Sequence, residues 1–302
     1  MSAIRLPATL QRRLDATVNS LLYGVSSGQN EFNRPFKEEA LVSANSVSWR
    51  IFKNPVALFV GGTAAVILEL AEPSVRAGIW EYSSFRKHPL GRLQRTGLAA
   101  MITVYGARSV AEPMIARIVR MHAGVQGKTP DGASYSANDP RLLTWVHATA
   151  AFGFGAAYHR YVRPLGEDEF DRLYAEGIPV SRLYGAVDPP NSAATMQGLF
   201  ESAATHLAPS PIIFEFLKIM RETPALPRPL HWVQPMLVRA AVELIPDWIR
   251  DRLRLSSGYG LDRHELWLTK LLGASSDRIV LPASPAVQSC IRLGLPMTYL
   301  FR

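Results

Sequence analysis

The sequence predicts an all-α fold, and three observations lead there. Apolar residues recur at three- and four-residue intervals through most of the chain, the period of an amphipathic helix. No persistent apolar/polar alternation runs between hairpin turns, so strands are not expected. Helix-start chemistry is plain at Asp139-Pro140, where Asp suits the N-cap and Pro the first helical position.

Taken in order, a short helix is expected over 36–50 and a buried one over 55–72, stopped by Pro73. A third covers 91–105 behind the turn His88-Pro89-Leu90-Gly91, and a fourth covers 107–125. Gly127-Lys128-Thr129-Pro130-Asp131-Gly132 reads as a turn-rich loop that makes the fourth helix and the one starting at Pro140 neighbours. Beyond Arg163-Pro164 follow an acidic-then-basic helix from Glu167 to Glu176, an elbow at Asp188-Pro189-Pro190 and a helix over 192–206. Six prolines between Pro209 and Pro235 then break the rest into short helices and extended connections. With no repeat, low-complexity tract or interdomain linker, the expectation is one domain over 1–302.

At 302 residues and 48% hydrophobic, the chain can bury a large core. Its single cysteine, Cys290, excludes an intrachain disulfide framework and any cysteine-built zinc or iron–sulfur site, which suits a reducing, cytoplasmic setting. The first 24 residues carry mixed charge and no continuous apolar core, so they read as mature protein rather than a secretory signal. The longest apolar run, Val56 to Leu68, spans 13 residues, short of the roughly 20 that cross a bilayer. The net charge of 33 − 25 = +8 is spread without the basic–aromatic pattern of nucleic-acid binding. An anionic cofactor or a peripheral membrane contact fits it equally, and no oligomeric state follows.

On the helix from Pro140, Leu143, His147, Ala150, Phe154, Tyr158 and Tyr161 share a face, which turns His147 into apolar surroundings. Ala148, Ala150, Ala151, Gly153 and Gly155 are small for a helix interior, where glycine costs about 1 kcal/mol against alanine. Two readings stand on this spacing. Either the space admits a flat group for which His147 is a ligand, or a core histidine bonds a carbonyl while small residues let helices approach.

Along 107–125, Val110, Met114, Ile118, Met121 and Val125 form an apolar stripe flanked by Arg117 and His122, with Arg120 farther out. Arg117 either leans into a pocket or snorkels to water. Upstream, Arg86, Lys87, His88, Arg92 and Arg95 form a basic cluster that reads as a carboxylate-binding or a solvated face. His159 stands twelve residues past His147, too far for both to chelate one metal. There is no Gly-x-Ser-x-Gly elbow, Walker A loop or His-Glu-x-x-His.

Ile118-Val119-Arg120-Met121-His122, Tyr135-Ser136-Ala137-Asn138-Asp139-Pro140 and Trp145-Val146-His147-Ala148-Thr149 occur in an order that resembles the mpaB/latex-clearing (rubber oxygenase) family. Gly61-Gly62, Glu72-Pro73, Ser83-Ser84-Phe85, Pro89-Leu90-Gly91-Arg92 and Arg95-Thr96 extend the resemblance over roughly 50–185. It implies a globin-like helical domain with a haem b pocket between core helices, His147 as the proximal iron ligand, and Arg92, Arg95 and Phe154 about the cofactor. It further implies dioxygen and an apolar substrate as partners, oxidative cleavage of C=C bonds, and Arg117, Arg120 and His122 on the distal side. A haem binder without catalysis and a haem-free membrane-associated helical protein are the alternatives. Tyr82 stands where the resemblance leads one to expect histidine, and Arg120-Met121 replaces the Lys-Thr pair of the rubber-cleaving branch, which sets this chain apart from that branch.

Overall fold

Helix starts in this chain are written as a polar residue followed by proline. In the computed structural model, Asn54 caps α2 (Pro55–Ala71), accepting from the Val56 and Ala57 amides, while Ser46 caps the preceding α1 (Val47–Phe52). Glu72 caps α3 (Pro73–Tyr82) and Asp139 caps α6 (Pro140–Tyr161), each accepting from the first turn. Proline at the first position gives up an N–H that has no helical partner anyway. Between these lie α4 (Pro89–Tyr105), α5 (Arg108–His122) and a two-stranded antiparallel hairpin, β1 (Gln126–Lys128) and β2 (Ser134–Ser136). Then follow α7 (Glu167–Tyr184), α8 (Ala193–Ala203), α9 (Pro211–Glu222), α10 (Gln234–Leu244), α11 (Asp247–Arg252), α12 (Arg263–Ser276) and α13 (Pro285–Arg292).

The described residues are 32–255 and 257–301, with residues 4, 7, 9, 11, 12 and 15 before them. Most of the segment read as mature amino terminus lies outside them. Among the described residues the fold is all-α apart from the hairpin, as expected, and no single helix is long and apolar enough to cross a membrane.

The centre of the fold is the antiparallel pair α2 and α6. Gly61 meets Gly153 backbone to backbone, and farther along the Trp145 indole donates to the Leu68 carbonyl at 3.1 Å. A Cβ on Gly153 would stand 2.4 Å from the Gly61 carbonyl oxygen, and one on Gly155 would stand 2.6 Å from Leu173 of α7. Helix packing therefore uses the space at both glycines. The expectation that a flat group needs it is corrected at these two positions.

Four other expectations are revised. Residues 36–46 form turns and bridges rather than helix, so that only α1 remains of 36–50. α3 was not anticipated, because the stop at Pro73 is also the start of a new helix. The loop before α6 is a hairpin closed by Asp131-Gly132, with Gly132 at φ +92°, the left-handed conformation that glycine adopts freely. α7 continues past Glu176 through Pro179 to Tyr184. After Pro209 the chain runs as short helices, as expected, with Pro211 and Pro235 within the first two positions of α9 and α10.

At the carboxy-terminal end Arg292 is fully buried and donates to the carbonyls of Phe32, Glu38 and Tyr105. Its guanidinium thus ties α13 to the chain before α1 and to the end of α4, and the Ser289 hydroxyl donates to the Phe32 and Tyr105 carbonyls beside it.

Candidate functional site

α4 and α5 pack on α1, α7, α13 and each other rather than closely on the α2–α6 pair. The side chains that the pair turns toward α4 and α5 are half-buried. On α2 these are Leu58, Gly62, Val66 and Glu69, at helical spacing on one face. From α6 come His147, Ala150 and Phe154. Their partial accessibility marks a face that the neighbouring helices do not fully cover.

His147 is the distinctive group. Among the described residues its imidazole makes no hydrogen bond, so the reading of a core histidine bonded to a carbonyl does not hold. Its ring lies 4.7 Å from that of Tyr184 on α7, whose hydroxyl is 3.1 Å from Thr103 of α4. Burial pushes its pKa down to about 4, with a smaller contribution from His122. The ring is neutral at physiological pH and its lone pair is available. His122 on α5 is also held below the usual histidine range, first by burial and then by Arg92, and its buried Nδ1 has no partner.

Arg92 on α4 joins the two histidines to a fourth group. Its guanidinium donates to Thr96 at 2.8 Å and is electrostatically coupled to Glu69 of α2. Burial raises the Glu69 carboxyl to about 7, against a smaller opposing effect of Arg92. Glu69, Arg92, His122 and His147 therefore bring one ionisable side chain each from α2, α4, α5 and α6 to the same interior. Shifted ionisable groups gathered from several helices mark a candidate functional site.

The other expected site residues fall into two groups. Phe154 lies at the site, its ring 4.6 Å from Phe52 and in contact range of Gly62. Arg95 is exposed, donating to Ser84 at 2.7 Å on the flank of Arg92. Arg117 and Arg120 are exposed on α5 and are not gathered with His147. The inward stripe of α5 runs through Ala111, Ile115, Ile118 and His122, less than one position round from the expected stripe, and this leaves Met121 55% exposed and turns His122 in. Arg86 pairs with Glu215 at 3.0 Å, and Tyr82 donates to the Gln126 carbonyl at 2.8 Å, so both serve the surface.

Sequence reasoning missed Glu69, Thr103 and Tyr184. Glu69 had a signal, as it is the one charged residue between Pro55 and Ala71.

A titration experiment follows from Glu69. Its folded pKa of about 7 lies above the unfolded 4.5, so the folded state holds the extra proton between them and stability falls as pH rises through that window. Glu69→Gln is expected to flatten this fall and to stabilise the protein above pH 7 by up to about 3 kcal/mol relative to its parent. Denaturant midpoints of both proteins at pH 5 and pH 8 check this, and an unchanged difference between the two pH values counts against a buried Glu69.

Residues 49–275 match the family described as ER-bound oxygenase mpaB/B'/Rubber oxygenase, catalytic domain. The chain belongs to this oxygenase family. The match contains all four gathered ionisable groups, and it implies an oxidoreductase that takes dioxygen and a substrate. Among curated proteins the chain resembles the uncharacterised proteins Mb2261 of Mycobacterium bovis and Rv2237 of Mycobacterium tuberculosis, each 24% identical over 226 residues that cover 72% of this chain and 88% of the relative. No solved structure matches. Among the described residues no three His, Cys, Asp or Glu side chains converge on a metal position.

Proposed function

We propose that this family member is a haem b-dependent oxygenase, with His147 as the protein's iron ligand and an apolar, olefinic molecule such as an isoprenoid or unsaturated lipid as substrate. One observation carries the reading: an inward imidazole, neutral and without a hydrogen-bond partner among the described residues, faces the space between α2, α4, α5 and α6. The donor set fits the cofactor. With no cluster of three ligating side chains among the described residues, an iron here needs most of its ligands from the group that carries it, as a porphyrin provides.

When bound, haem supplies the dioxygen and electron chemistry, which side chains lack. His147 would hold the iron through an imidazole nitrogen, whose protonation burial suppresses. Arg92, with Arg95 beside it, offers guanidinium groups suited to propionate carboxylates. His122 brings a desolvated Nδ1 without a partner to the same interior, where it can hold or pass a proton. Glu69, near half-protonated at neutral pH, is a second proton carrier. Leu58, Val66, Ala150 and Phe154 give the substrate an apolar wall. The overall reaction would put one oxygen atom of dioxygen on each carbon of the cleaved double bond.

The test is the visible spectrum of purified protein supplied with haem and reduced, with and without carbon monoxide. A Soret band that shifts with carbon monoxide is expected, since it reports both haem and an open coordination position. No Soret band after haem addition would sink the proposal. Oxygen uptake over terpenoids and unsaturated lipids then separates an enzyme from a haem carrier, with uniform inertness favouring the carrier.

A further inference from the structure

A second cavity lies on the other side of α6. Ala156 comes nine residues after His147, which places it about 180° round the helix. There a cleft of about 640 Å³ runs between α7 and α8 on one side and α10 and α11 on the other. Phe152, Phe170, Met196 and Phe200 make its apolar wall, and Trp248, 40% exposed, stands at its edge. Size and lining match those of small-molecule pockets, commonly about 300–1,000 Å³ and mainly apolar.

This cleft meets a smaller cavity of about 360 Å³ that shares His159 and Arg160 with it and adds Arg163 and Lys270. An open, mainly apolar cleft thus runs into an open basic one. Arg160 pairs with Glu243 at 3.3 Å and Arg163 with Glu169 at 2.8 Å, each through one nitrogen, which leaves most of the five guanidinium donors unspent. Among the described residues no carboxylate lies within ion-pair distance of Lys270. At this end three permanent cations face two carboxylates and are net positive, while a third carboxylate, Glu201, lies beside Phe200 in the apolar part of the cleft. α6 ends here at Tyr161, and the carbonyl end of a helix repels anions, so the attraction must come from these side chains.

We propose that this joined cleft binds a single-chain anionic amphiphile, a fatty-acid carboxylate, with its tail along Phe152, Phe170 and Phe200 and its head between Arg160 and Lys270. A neutral hydrocarbon would leave the basic end unused, and a small anion would leave the aromatic wall unused. The site is separate from the interior that holds His147, and the proposal does not depend on haem.

Calorimetric titration of the full chain with laurate, dodecan-1-ol and acetate tests it. Laurate has no double bond and is not a candidate for C=C cleavage. Saturable binding of laurate is expected, with dodecan-1-ol weaker and acetate undetected. Lys270→Glu should weaken laurate about fivefold and leave dodecan-1-ol unchanged, the size expected of one exposed charge contact. Ala156→Trp, which fills the cleft floor, should abolish binding of both, and His147→Ala should change neither. The proposal fails if laurate binds no better than dodecan-1-ol, if Lys270→Glu weakens the two equally, or if Ala156→Trp still binds laurate while its unfolding midpoint matches the parent's.

Discussion

His147→Ala is expected to lower haem affinity by at least about a hundredfold while leaving the fold close to its parent's stability. Loss of even an outer-shell group at a metal site costs about 10–100-fold, and loss of the axial nitrogen should cost no less. The structural cost is small because the imidazole is half-buried and makes no hydrogen bond among the described residues, so its removal strands no buried polar partner. Its main contact is the Tyr184 ring at 4.7 Å. The two effects come apart in one experiment. Haem titration followed by absorbance reads ligation, and denaturant unfolding of the haem-free protein reads the fold. Added imidazole should restore the spectrum by occupying the vacated position. A variant that keeps a Soret band of unchanged position and stoichiometry would remove His147 from the ligand role, and a variant that loses several kcal/mol of stability would show a structural residue instead.

The helices were legible where local chemistry decides them. Asp139-Pro140 marks the start of α6 because a carboxylate cap and a missing N–H act within one turn, and His147 then follows by helical spacing. Tyr184 was not legible. Pro179 reads as a helix breaker, yet α7 runs through it, since packing against α5 and α6 outweighs one lost hydrogen bond. That continuation brings Tyr184 to the face of His147. Periodicity located α5 but turned its inward face less than one residue too far, so that Ile118 belongs to both stripes while Met121 and His122 change places. The four-group cluster was beyond spacing rules altogether, since Glu69, Arg92, His122 and His147 lie on four helices and are linked pairwise only through tertiary packing. The small residues of α6 had two explanations before the structure, and Gly153 and Gly155 belong to helix packing.

That packing can be probed at Gly153 itself. Gly153→Ala is expected to destabilise the protein by about 2–4 kcal/mol, against the gain of about 1 kcal/mol that alanine brings to a helix interior. The added Cβ would lie 2.4 Å from the Gly61 carbonyl oxygen and 3.2 Å from the Ala65 nitrogen, both backbone atoms of α2 that no side-chain rotation can move aside. Relief requires the two central helices to part. Gly198 on α8 is the matched control, because a Cβ there meets nothing within 4 Å, and Gly198→Ala should be neutral or stabilising by up to about 1 kcal/mol. Denaturant midpoints of the two variants decide the matter, and equal stability would mean that α2 and α6 yield without cost. Strain at Gly153 also reaches the site. Gly62 and Phe154 are the next residues on the two helices, and both line the interior space one turn or two from His147. A parted α2–α6 pair should therefore weaken haem binding in Gly153→Ala but not in Gly198→Ala, since the helix that is forced aside carries Glu69 and the apolar wall facing the imidazole.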